Sequence, residues 1–186
     1  MKRGLLLAGI LALVLAGGAS ASIDWAKLGP LQTGKPPWRN DSQTLPRRLA
    51  PLGLHALGQE GAAMHIHQHL DLYVGGRHVT VPAAIGIDFQ QQFITEVHTH
   101  DTSGVIHVES PTVRPFTLGQ FFGEWGVKLT PNCLGTYCGS LKWWVDGKRM
   151  VGNPAQLILK PHQEIVIATG KAPATVPSSY KFPAGL

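Results

Sequence analysis

Sulfur, charge and long apolar runs are all scarce in this chain. It has two cysteines and three methionines among 186 residues, too few for a disulfide-framed mini-protein or a thiolate metal cage. Charged residues make up only 15%, and the lysines and arginines are scattered, with no basic stripe interleaved with aromatics. That excludes a nucleic-acid partner as the reading of the basic balance. Beyond residue 21 no run is long and apolar enough to cross a bilayer.

The start of the chain, "MKRGLLLAGILALVLAGGASAS", places Lys2 and Arg3 before an apolar stretch from Leu5 to Leu15 and the small residues Ala19-Ser20-Ala21. This pattern predicts a secretory signal peptide over 1–21 rather than a membrane span. No cysteine stands at the cleavage point to carry a lipid. The expected product is exported, periplasmic or extracellular, and loses two cations with no anion, so its net charge falls from +5 to +3. In such a compartment Cys133 and Cys138 of "NCLGTYCG" read as one small-loop disulfide; the spacing is not that of a C-x-x-C redox pair.

Residues 22–63 are rich in Pro, Gly and polar residues and read as an extended arm, with Trp25 and Trp38 as anchors and room for a short helix over 47–59. The domain proper spans 64–170, and 171–186 reads as a loose tail. Within the domain, "MHIHQHLDLYV" alternates strictly and turns at Gly75-Gly76, a hairpin signal that sets Tyr73 opposite His78. His65, His67, His69, Asp71 and Tyr73 then share one face, and Ile66, Leu70, Leu72 and Val74 the other. A second hairpin over "EVHTHDTSGVIHVES" (96–110) turns at Asp101–Gly104, which puts His98 opposite His107 and Glu96 opposite Glu109. A slip of one residue would send His107 to the other face.

Thr117 with Gln120 is a capping-box pattern opening a helix whose stripe is Leu118, Phe121, Phe122 and Trp125, ended by Gly126. A hairpin at Asp146-Gly147 and a closing strand in "QEIVIATG" follow. The expected fold class is α+β: a mixed, mainly antiparallel sheet with one principal amphipathic helix. From Leu118 onward the element order resembles the β-grasp arrangement. The blocks "HIHQHLDLYVGG" and "VHTHDTSGVIHVES" are similar to those of an uncharacterised group of exported bacterial proteins; the resemblance implies export and a single domain but no chemistry.

Six of the nine histidines fall in these two blocks. Same-face neighbours on a strand lie about 6.6–6.8 Å apart, close enough for imidazoles to converge on one ion. His98, His100 and His107 form the strongest local set, and His65, His67 and His69 either complete it or make a second site. Neutral imidazoles suit Zn²⁺, Cu²⁺ or Ni²⁺ better than Mg²⁺ or Ca²⁺, whereas soft donors are limited to Met64, Met150 and the cysteines, which argues against a dedicated Cu(I) carrier. Glu96 and Glu109 read as further ligands, as partners that fix the imidazole tautomers, or as a general base. Asp101 caps its own turn or binds metal. The pattern lacks H-E-x-x-H, the cupin and metallo-β-lactamase spacings and a nucleophile elbow around Ser103. Three functions stay open: a metal-binding protein in metal handling or sensing, a metal-dependent enzyme with a three-histidine site, and an interaction module with a structural histidine network.

Overall fold

A computed structural model describes residues 22–186; the predicted signal segment 1–21 lies outside them. The fold is α+β. Among the described residues two α-helices, α1 (Leu45–Leu52) and α2 (Leu118–Trp125), accompany eleven strands: β1 (Met64–Val74), β2 (Arg77–Val79), β3 (Ile87–Asp88), β4 (Phe93–Ile94), β5 (Val97–His98), β6 (Val105–Ser110), β7 (Cys133–Leu134), β8 (Tyr137–Cys138), β9 (Leu141–Val145), β10 (Lys148–Met150) and β11 (Glu164–Thr169). Seven of these form one mixed sheet in the order β10-β9-β11-β1-β6-β5, with β2 paired to the second half of β1. Only the central β1–β11 pair is parallel; every other ladder is antiparallel. No helix among the described residues is long and apolar enough to cross a membrane.

The strict alternation of β1 gives the sheet two unlike faces. Leu70 and Leu72 point into the core with Ile106, Val108 and Ile167, where α2 closes over them through Phe121, Phe122 and Trp125, all fully buried. Side chains of this size contribute about 1.5–3 kcal/mol each when removed from water. The helix begins with the expected capping box, Thr117 Oγ1 accepting from Gln120 N–H and Gln120 Oε1 from Thr117 N–H, and ends on Gly126 in the left-handed region.

The first helix differs from its expectation of 47–59. It starts at Leu45, with Pro46 in its first turn, and stops when Gly53 takes a left-handed φ of +64°; Leu57 instead bridges Ile94. Its Arg48 is wholly buried, donating to the carbonyls of Leu28, Pro30 and Glu124 and to the Asp41 carboxylate, and so fastens the N-terminal arm to the last turn of α2. Trp38 packs edge-on against Trp125. Cys133 and Cys138 are joined across the β7–β8 hairpin. Residues 171–186, expected as a loose tail, return over the polar face of the sheet, where Tyr180 stacks on His69 at 3.7 Å.

Glu124, in α2, is buried with neither carboxylate oxygen hydrogen-bonded, and burial holds its pKa well above the ordinary 4.5. The folded chain therefore keeps the proton that the unfolded chain releases above pH 4.5, and each further pH unit costs the fold about 1.4 kcal/mol until the folded pKa is reached. Glu124→Gln is expected to raise the melting temperature at pH 8 and to leave it unchanged at pH 4. Equal shifts at both values would refute a neutral buried acid.

Candidate metal centre

Three adjacent strands bring the histidines together. In the observed register His98 of β5 pairs with His107 of β6, and His107 pairs in turn with His67 of β1, so three imidazoles stand in one row across the sheet. One step along, Glu109 of β6 pairs with His65 of β1. His100, just past the end of β5, swings back so that its ring lies 4.4 Å from that of His107. The two histidine blocks thus meet on one face, apart from His69.

The donor atoms sort into two sets. His65, His67, His107 and Glu109 place one donor atom each within 4.8 Å of all the others, and so do His98, His100, His107 and Glu109. Within them the Nε2 atoms of His65 and His67 are 3.1 Å apart, and those of His98 and His100 are 3.2 Å apart. Two nitrogens bound to one tetrahedral ion at about 2.0–2.1 Å lie roughly 3.3 Å from each other. Each H-x-H pair is therefore already spaced as two ligands of one ion.

Hydrogen bonds to Thr95 and Glu109 fix two of the ring tautomers. His98 Nδ1 lies 2.9 Å from the carbonyl of Thr95, which can only accept, so Nδ1 carries the hydrogen and Nε2 keeps its lone pair toward His100. Burial of this fully enclosed ring takes its pKa down to about 3, against the opposing pull of the Thr95 carbonyl, so the lone pair is not protonated at neutral pH. Burial, followed by the neighbouring His107 and His65, likewise lowers His67 to about 4. Burial works to raise Glu109, but its hydrogen bond from His107, followed by the influence of His98, Glu60 and His65, outweighs it and lowers Glu109 to about 2. An ionised Glu109 accepts the His107 Nδ1 proton at 3.0 Å, which leaves the lone pair of that ring on Nε2.

A tight loop supports the Thr95 carbonyl. Gly86, at φ +75°, packs so closely that a Cβ there would come within 2.5 Å of Thr95 Oγ1 and the Val97 carbonyl. Only glycine satisfies both the backbone conformation and the contact.

The remaining candidates lie elsewhere. His69 donates through Nε2 to the carbonyl of Ser103 (2.9 Å), and its Nδ1 meets Glu164 of β11 at 2.8 Å; with Asp71 these form a separate group. Burial opposes the charge on His69, yet the bond to Glu164 outweighs it and raises its pKa; burial raises that of Glu164 against the same bond. Glu96 turns away from Glu109 and binds the His55 amide, the His55 ring and Arg114. Asp101 caps its own turn, accepting from Ser103 N–H. His78 pairs with Asp71 and His162 reaches the Leu186 carbonyl.

Glu60 was not among the expected residues; its carboxylate lies 3.4 Å from His100 Nε2, at the rim of the cluster. Its loop carries no period or motif that would have marked it. Beside the exposed ring of His65 opens a cleft of about 330 Å³ lined by His67, Pro161, His162 and Leu186. The chain matches no protein-family model, no curated protein and no solved structure.

Proposed function

We propose that this is an exported protein that binds a transition-metal ion, zinc or copper, through His65, His67, His98, His100 and His107 with Glu109, and that it acts in metal handling or sensing. One observation carries the reading: His98 is fully buried, its Nδ1 proton is committed to the Thr95 carbonyl, and its bare Nε2 faces a second imidazole nitrogen at ligand spacing. A structural network would use the same 3.1–3.2 Å contacts as hydrogen bonds, but it gives no reason to gather five imidazoles and one ionised carboxylate where few other groups intervene. Nitrogen-rich donor sets favour Zn²⁺ and Cu²⁺ over Mg²⁺ and Ca²⁺. Export is supported by the composition of residues 1–21 and by the Cys133–Cys138 disulfide. The order β6-β1-β11-β9-β10, with α2 following β6 in the chain, supports reading the framework as β-grasp.

A metal-dependent enzyme is the second reading. The cleft beside His65 favours it, because an ion held there would be open to a small substrate.

Equilibrium dialysis of metal-stripped protein against Zn²⁺ and Cu²⁺, followed by elemental analysis, tests the first reading. At least one ion per chain is expected for the native sequence, and fewer or more weakly held ions after His98→Ala with His107→Ala. Uptake that the double substitution leaves unchanged would sink it.

A further inference from the structure

The two donor sets are separate except for His107 and Glu109. A single tetrahedral ion has four positions, and five histidines with one glutamate offer six donors before either carboxylate oxygen is counted twice. Each H-x-H pair has its own ligand spacing, so neither pair needs the other to seat an ion. Between them stands Glu109, whose Oε1 is 3.3 Å from His65 Nε2 in one pair and 4.0 Å from His98 Nε2 in the other. His107 sits in the same gap, its ring 4.6 Å from that of His67 and 4.4 Å from that of His100.

We propose that the cluster is a two-ion centre: His65 and His67 hold one divalent ion, His98 and His100 hold a second, His107 completes one of them, and the Glu109 carboxylate bridges the pair. This rests on the metal-binding reading and deepens it. A carboxylate with two oxygens is the ordinary bridge between ions about 3.5–4 Å apart. Two divalent ions facing the carboxylates of Glu109 and Glu60 leave a net positive centre, which suits a bridging hydroxide or a small oxyanion as the exogenous ligand. The half-exposed His65 and its cleft provide the approach.

Cu²⁺ titration of the metal-free protein, followed by electron paramagnetic resonance, separates the possibilities. Two equivalents are expected to bind, with the mononuclear spectrum seen at one equivalent replaced by that of a coupled pair at two. His65→Ala with His67→Ala should reduce uptake to one equivalent with a purely mononuclear spectrum. Saturation at one equivalent in the native sequence would overturn the two-ion centre while leaving the metal-binding reading in place. Two equivalents with no coupling, the second surviving the His65/His67 substitutions, would place the other ion at His69, Asp71 and Glu164 and overturn the bridge. No uptake at all would overturn both readings. Glu109→Gln serves as the second variant: it is expected to bind the first ion and to abolish the coupled spectrum, and a coupled spectrum that persists would overturn the bridging role.

Discussion

His107→Ala is expected to lower Zn²⁺ affinity by about 100-fold or more, the largest loss from any single substitution in the cluster. His107 is the only histidine common to both donor sets and stands in the middle of the row formed by His98, His107 and His67. Its removal takes a nitrogen from either ion and also strips Glu109 of the Nδ1–H that satisfies it. Loss of an orienting partner alone commonly costs 10–100-fold in affinity, and here a ligand goes with it. His69→Ala is the matched control. It breaks the pair with Glu164 and the stack with Tyr180 but should leave Zn²⁺ affinity within about threefold. Competition against a chromophoric chelator measures both; equal losses in the two variants would show that the ion is not where the sets converge.

The metal-free protein is expected to lose stability steeply as pH falls below 6.5. His98 has an ordinary value of 6.5 and a folded value near 3, so between those limits the unfolded chain binds the proton and the folded chain does not. Stability contributed by the neutral ring is complete above pH 6.5 and drains away as pH falls toward 3. At about 1.4 kcal/mol per unit, His98 alone removes about 2 kcal/mol by pH 5 and on the order of 4 kcal/mol by pH 3. His67, lowered to about 4, acts in the same direction over its own window. Glu109 adds to the loss between its ordinary 4.5 and its folded value near 2. Urea unfolding midpoints of the stripped protein from pH 8 to pH 4 measure the slope. A flat profile would show that these rings take up protons without cost. Zn²⁺ at 1,000 times its dissociation constant adds about 4 kcal/mol and should move the fall to lower pH.

Much of this arrangement could be read from the sequence because it depends on strand periodicity and loop length. The Gly75-Gly76 turn and the span Asp101–Gly104 fix two registers, and His98 opposite His107 follows from the second. What lay beyond reach depended on which distant strand lies beside which. His69 continues the alternation of His65 and His67, yet its partner Glu164 is 95 residues away on a parallel neighbour that no local pattern announces. Glu96 sits opposite Glu109 in the pattern, but β5 is only two residues long, and just before it the chain turns so that His55 and Arg114 claim the carboxylate. Arg48 looked like any scattered surface cation, although three backbone carbonyls left unpaired by loops and a helix end make it part of the interior.

The order of the sheet also bears on how the chain assembles. All the proposed ligands lie between His65 and Glu109, on or just beyond strands that pair within that stretch, whereas the other neighbour of β1 is β11, near the far end of the sequence. Contacts close in sequence form faster than distant ones, because less loop entropy opposes them. The histidine row can therefore close before the central parallel pair exists, and an ion captured at that stage would clamp β5, β6 and β1 together while the second half of the sheet is still to be laid down. An ion bound at that stage would bear on how fast the chain matures as well as on how stable the finished protein is.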